Sequence, residues 1–280
     1  MQVVCLLEPE VTEGPYYVSG ELIRSDIRED QPGIDLYVDL QFIDVNTCSP
    51  VNGMYIDLWH ANASGVYSGV VARTNGNSAD ASNAGTTFHR GLFPTDSDGF
   101  ASFITKFPGL YAGRTTHIHI MTHSNGTVLA NRTYSEGRVS HVGQLFFDQS
   151  LITKVQSTGV YAVNTNPVTT NSEDFIALQS AADEFDPFLQ YVQLGESLED
   201  GLLSWISVGV DTTNDNTVSA AGVYTGDGTT TSIGGTTAPS GSGLDSSPDV
   251  SSASADIGNG GVVLEQCYGW ILAIIIALLH

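Results

Sequence analysis

The sequence predicts a mostly β fold: an antiparallel sandwich or barrel over residues 1–210, followed by a disordered Ser/Thr/Gly-rich C-terminal tail. Three observations carry that expectation. Apolar and polar residues alternate with period two in several short runs, Asn/Asp/Gly/Ser/Pro clusters punctuate those runs at short spacing, and the composition changes at about residue 211. In chain order, the first run is residues 36–45 (LYVDLQFIDV), the second residues 54–59 (MYIDLW) and the third residues 116–120 (THIHI). Helical periodicity is scarce, and its best instance is the acidic stretch 172–185.

Beyond residue 211 the chain is dominated by Thr, Ser, Gly, Asp and Ala, with almost no aromatic residue after Tyr224. Residues 211–261 therefore read as a disordered linker or stalk that buries too little apolar area to offset its chain entropy. In the final segment, 262–280, ten apolar residues run unbroken over 270–279, too few for a confident membrane-spanning helix. Small residues at 251–255 or 258–261, a short spacer and that apolar tail match the logic of a glycosylphosphatidylinositol attachment signal. Such a signal acts only on a translocated chain. Residues 1–10 (MQVVCLLEPE) show no signal peptide, so the reading is that the secretory leader lies upstream of this start, with a cytoplasmic location as the alternative.

Nine Lys plus Arg against 31 Asp plus Glu give a net charge of −22. A surface this acidic repels phosphate backbones and excludes nucleic acid as a partner. Cysteines stand at 5, 48 and 267; Cys5 and Cys48 read either as one disulfide or as two buried thiols. Sequons at Asn62, Asn125 and Asn131 favour an extracellular glycoprotein, mildly.

The chemistry is concentrated between residues 59 and 119. Residues i and i+2 of a strand share a face, so His117 and His119 offer two imidazoles to one metal. Zinc, copper and iron sites all use such a pair. A cupin-like site would need a carboxylate about four residues further on, where His123 stands instead. A three-histidine zinc site would need His60, His89, His123 or His141 as its third ligand. Glycines flank Tyr67 and Tyr111, and hard phenolate oxygens beside two imidazoles favour ferric iron over softer metals.

The segments Glu13-Gly-Pro-Tyr-Tyr17, Trp59-His-Ala-Asn-x-x-Gly-x-Tyr67, Arg90-Gly-x-x-x-Thr-Asp-x-x-Gly99, Pro108-Gly-x-Tyr111 and Gly113-Arg-x-x-His-x-His119 resemble the intradiol ring-cleavage dioxygenases, especially their extracellular fungal branch. The resemblance runs in order from about Leu7 to Asp211. It implies a β-sandwich and one Fe(III) per chain held by Tyr67, Tyr111, His117 and His119, with Tyr111 the displaceable phenol. By the same mapping Arg114 and Gln144 act beside the ring being cleaved, and Pro15 and Tyr16 line the substrate pocket with Arg114. The implied activity is cleavage of a catechol-type aromatic diol by O2 to a cis,cis-muconate-type acid. The alternative is a non-catalytic surface module on a glycosylated stalk. Two positions depart from the family pattern, Phe93 where many relatives have Gln and Ala61 where many fungal relatives have Cys. The long helical N-terminal region through which catechol 1,2-dioxygenases dimerise has no counterpart in the sequence, so no oligomeric state transfers.

Overall fold

The computed structural model describes residues 5–135, 137–225 and the backbone of 230–232. Its strands are β1 (Val18–Ser19), β2 (Asp35–Asp44), β3 (Ser49–Pro50), β4 (Tyr55–Trp59), β5 (Arg90–Pro94), β6 (Phe100–Lys106), β7 (His117–Ser124), β8 (Thr127–Val128), β9 (Tyr134–Ser135), β10 (Arg138–Phe146), β11 (Gln190–Gln193), β12 (Leu202–Val210), β13 (Gly222–Tyr224) and β14 (Thr230–Ser232). Two short helices, α1 (Gln149–Gln156) and α2 (Phe175–Ser180), interrupt them.

Two main sheets form. One runs β10-β7-β4-β5 and is antiparallel throughout. The other runs β11-β12-β2-β3, with β6 also paired to β2. The alternation read from residues 36–45 is realised in β2, where Leu36, Val38, Leu40 and Phe42 are fully buried and their neighbours half-buried. These side chains meet Ile56, Leu58, Ile118, Ile120 and Leu145 of the first sheet in one core cluster. Each such side chain taken fully from water contributes about 1.5–3 kcal/mol. Within these two sheets one pairing departs from the antiparallel pattern: β12 lies parallel to β2 in register from Leu202↔Leu36 to Val210↔Asp44.

The first sheet is also covered on its outer face. Tyr16, Tyr17, Val18, Trp59, Ala61, Tyr67, Met121, Val139 and Val142 form a second buried cluster there. Residues 211–225 contribute to that cover, so the expected linker does not begin at 211. β13 pairs in parallel with β1, Asn216 N–H donates to Val139 O at 2.7 Å, and Ala221 N–H donates to Tyr17 O at 2.7 Å. The segment is held by backbone pairing and a few apolar side chains, Val218, Ala220, Ala221 and Tyr224, which composition does not register. The remainder of the expected linker, apart from the backbone of 230–232, and the expected apolar tail lie outside the described residues.

The helix read over 172–185 is shorter than expected. Asp174 caps α2, accepting from Ile176 N and Ala177 N; the helix stops at Ser180, and positive φ at Asp183 and Glu184 excludes helical geometry from the end of the expected stretch. A second helix, α1, follows the capping carboxylate of Asp148 and buries Leu151, Ile152 and Val155. Cys5 and Cys48 are joined by a disulfide, which decides between the two readings of that pair.

Candidate active site

Strand β7 supplies the centre. Ile118 and Ile120 point into the core, so His117 and His119 point to the opposite, covered face, where both are buried. Their Nε2 atoms lie 3.1 Å apart. His117 Nδ1 sits 2.6 Å from Thr115 O; a carbonyl can only accept, so Nδ1 carries the hydrogen and Nε2 presents its lone pair. Across the sheet His119 pairs with Trp59 on β4 and Gln144 on β10. The Trp59 indole stacks on the His119 ring at 4.8 Å and 6°, which fixes the plane of the imidazole. Burial, aided by the Arg114 charge, pushes His117 down to about 3. Burial and neighbouring His117 push His119 well below its ordinary value. Both rings are therefore neutral, the form in which imidazole binds a metal.

Tyr67 reaches the same point from the loop after β4, with its Oη 3.1 Å from His117 Nε2. Three buried asparagines hold that loop. Asn75 accepts from Tyr67 N–H at 2.8 Å and donates to Tyr67 O at 2.8 Å; Asn83 donates to the same carbonyl at 2.9 Å. Asn75, Asn77 and Asn83 all donate to Val70 O. The flanking glycines serve a purpose other than phenol approach, because the two tyrosine loops interlock through them. A Cβ on Gly65 would lie 2.0 Å from Leu110 O, and one on Gly109 would lie 2.3 Å from Ala63 O. This contact brings the Tyr111 ring edge-on to Tyr67 at 5.5 Å and to His117 at 5.8 Å. Burial raises both phenols, and the Arg114 guanidinium opposes that rise at Tyr111. In the protein alone each phenol keeps its proton; a trivalent cation would displace it.

Arg114 and Gln144 meet directly. Arg114 Nη2 donates to Gln144 Oε1 at 2.7 Å, and Gln144 Nε2 donates to Thr12 O at 2.8 Å. The other edge of the guanidinium is held by Asp174, whose Oδ2 accepts from Arg114 Nε and from Thr115 N–H, both at 2.8 Å. Asp174 is 1 % exposed in its side chain, so this ion pair is internal and not the surface pair that an acid-rich chain would offer. Its Oδ1 caps α2, so one carboxylate ties Arg114, the segment entering β7 and the helix together. Tyr16 is buried with its ring 4.8 Å from Tyr67 and 5.7 Å from Tyr111, and burial pushes its phenol up to about 12. Pro15, its neighbour, is exposed. Arg90 joins the two sides of the site: it donates to Tyr16 O at 2.7 Å, to Ser68 O at 2.9 Å and to buried Glu21 at 2.9 Å.

All the residues read as ligands or catalytic groups are thus brought together, whereas the alternative third histidines are not. His60 is engaged by Ala61 O and Thr105 Oγ1 and stacks on His89 at 4.5 Å. His123 faces Asp57 at 3.6 Å, and His141 lies between Glu8 and Glu10. Among the described residues no group of three or more His, Cys, Asp or Glu could hold a metal ion. A metal at this place must take phenol oxygens as well as imidazoles. Two neutral imidazoles with converging Nε2 atoms and two phenols fit a hard trivalent cation such as ferric iron. Sequence reasoning missed Asn75, Asn77, Asn83, Asp174 and Trp59 as parts of the site.

A family model described as Dioxygenase matches residues 12–142. The chain is similar to the solved structure of an intradiol ring-cleavage dioxygenase from Tetranychus urticae, with 34% identity, a TM-score of 0.62, and cover of 76% of this chain and 98% of that one. The crystal structure of another dioxygenase is similar at 33% identity and a TM-score of 0.61, again covering 76% of this chain and 98% of that one. No curated protein matches the chain.

Proposed function

The chain belongs to the intradiol ring-cleavage dioxygenase family, and we propose that it opens the ring of a catechol-type diol between its two hydroxyl-bearing carbons. Both atoms of O2 enter a cis,cis-muconate-type dicarboxylic acid. The observation that carries this reading is the convergence of Tyr67, Tyr111, His117 and His119 beside the hydrogen-bonded pair of Arg114 and Gln144.

In this reading one ferric ion is held by the two phenol oxygens and the two Nε2 atoms, and it supplies the Lewis acidity that ionises the phenols and the diol and activates the ring toward O2. Tyr67 is the permanent member, because it is fully enclosed and its backbone is pinned by Asn75 and Asn83. Tyr111 is less enclosed, and its Oη would be the group placed to accept a proton from an incoming diol. Arg114, beside Tyr111, would lie next to the ring of a bound diol. Its fixed charge stabilises negative charge developing on the ring carbons. Asp174 and Gln144 hold the guanidinium from its two edges and are positioning residues for it. Tyr16 packs against both phenols and gives the diol an aromatic wall.

An extracellular or cell-surface location accompanies this proposal, supported by the Cys5–Cys48 disulfide, since such bonds persist in oxidising compartments. The test is oxygen uptake by iron-loaded protein across a panel of catechol, hydroxyquinol and protocatechuate, with the muconate product followed by absorbance. Phenolate-to-iron charge transfer should colour the protein red to burgundy. A colourless protein holding stoichiometric zinc would overturn the metal assignment. A coloured protein that consumes no oxygen with any diol would overturn the reaction and leave a binding module.

A further inference from the structure

We propose that Asn125 and Asn131 carry N-linked glycans and that Asn62, the third sequon, does not. The three triplets are equivalent in sequence, Asn-x-Ser at 62 and Asn-x-Thr at 125 and 131. The fold separates them. Asn62 is half-buried between buried Ala61 and Ala63, and its amide is committed: Nδ2 donates to Gln31 Oε1 at 3.1 Å, while Oδ1 accepts from Ser64 N, Ser64 Oγ and Val66 N. Its carbonyl accepts from Gly65 N–H at 2.9 Å and from Gly109 N–H at 3.2 Å, so it anchors the interlocked loops that carry Tyr67 and Tyr111. A sugar on Nδ2 would be driven into that junction.

Asn125 and Asn131 stand on an excursion outside the main sheets, the β8–β9 ribbon, and both are exposed. Asn125 takes φ +60 at the turn after β7, a conformation asparagine tolerates. Asn131 Oδ1 accepts from Thr133 N and Oγ1, so what separates it from Asn62 is exposure and the Nδ2 bond that Asn62 makes to Gln31. The ribbon is an ordered platform. Leu129 N–H donates to Thr133 O at 2.8 Å, Gly126 N–H donates to Tyr134 Oη at 2.7 Å, and Ile23 N–H donates to Arg132 O at 2.8 Å.

A second observation concerns what lies between the two asparagines. Val128 is 52 % and Leu129 39 % exposed, two adjacent apolar side chains on a two-stranded ribbon edge. An exposed ribbon edge with apolar side chains invites association, and a bulky hydrophilic group on either side blocks it. The position also spares the active site. β7 carries His119 near its start and ends just before Asn125, about 20 Å further along at ~3.3 Å per residue.

The modification requires an oligosaccharide donor activated as a lipid diphosphate, found where the Cys5–Cys48 disulfide would also form. A bond from sugar C1 to Asn Nδ2 replaces the C1–O bond to phosphate. The amide nitrogen loses one proton and the lipid diphosphate departs, with no change of oxidation state.

The test is expression of the full chain behind a secretory leader in a eukaryotic host, with intact mass measured before and after glycan release by a peptide amidase. Two releasable glycans are expected. Asn125→Gln and Asn131→Gln should each remove one, and Ser64→Ala should remove none. Release in heavy-oxygen water should mark positions 125 and 131 as aspartate and leave 62 unmarked. The double variant should keep wild-type turnover of the diol while aggregating at lower concentration. Secreted protein with no glycan, or with a glycan at Asn62, overturns the proposal. A double variant whose solubility equals that of the wild type overturns the shielding role.

Discussion

The two faces of the four-stranded sheet are built by the same strands and do opposite things. On the inner face Ile56, Leu58, Ile118, Ile120 and Leu145 join an apolar core whose contribution is stability. On the outer face Trp59, His117, His119 and Gln144 stand at the neighbouring positions of the same strands and are equally buried; there the two imidazole Nε2 atoms converge, the indole stacks on His119 and Gln144 bonds Arg114. In an ordinary antiparallel sheet the polar half of the alternation meets water. Here it is roofed by the Tyr16–Val18 segment, the Tyr67 loop and residues 218–224. A polar face that is nonetheless buried costs folding free energy unless its groups are paired, and what this one returns is chemistry. The contrast predicts that substitutions on the two sides of this sheet have unlike consequences.

The largest effect should come from the outer face. Tyr67→Phe removes only an oxygen, so the fold should survive while iron colour is bleached or shifted and oxygen uptake is abolished. Retained turnover would show that Tyr67 is not a ligand. On the inner face, Ile120→Ala should cost about 2–5 kcal/mol in chemical unfolding, as core truncations to alanine do, yet leave colour and turnover per folded molecule unchanged. If Ile120→Ala lost activity in parallel with Tyr67→Phe, the two faces would not be functionally separable.

A smaller effect is expected one step from the proposed ligands. Asp174→Asn retains an oxygen to cap α2 but loses the charge that holds Arg114. Outer-shell partners of a site typically matter by about 10–100-fold, and kcat should fall within that range. The visible band should stay, because no ligand has changed. Loss of the band together with kcat would mean that Asp174 supports the ligand set and not the guanidinium.

Much of this was legible in the sequence because two-residue alternation has a direct geometric meaning. His117 and His119 had to share a face, and Ile118 and Ile120 marked the other. The glycine-flanked tyrosines were also legible, although the reason for the glycines was not. Their role is contact between loops distant in sequence, Gly65 on Leu110 and Gly109 on Ala63. The supporting groups were illegible for a related reason. Asn75, Asn77 and Asn83 lie in a stretch rich in turn-forming residues, where asparagine ordinarily punctuates a loop, and only the fold turns their amides inward onto Tyr67 and Val70. Asp174 stood inside an acidic run read as a helix face, while the structure makes it the cap that begins the helix. Composition likewise misplaced the end of the folded unit at 211, because β13 is held by backbone pairing to β1, which any side chains can support.

The division between faces fades at the sheet edge, where His141 on β10 tests it. Unlike His117 and His119, this equally buried histidine has carboxylates on both sides, Glu8 at 3.0 Å from Nε2 and Glu10 at 2.6 Å from Nδ1. Burial lowers it, but the two carboxylates together outweigh burial and bring it up to about 9. The folded value lies above the ordinary 6.5, so the folded state holds the proton more tightly than the unfolded chain does. Its stabilising contribution is therefore complete below pH 6.5 and is lost as pH rises through about 9. His141→Gln should accordingly destabilise the protein more at pH 6 than at pH 9.5, as read from the difference in Tm between variant and wild type at each pH. The measurement separates two kinds of buried histidine on one sheet. If the gap in Tm were the same at both pH values, His141 would be neutral like its neighbours, and its role would be packing and not charge.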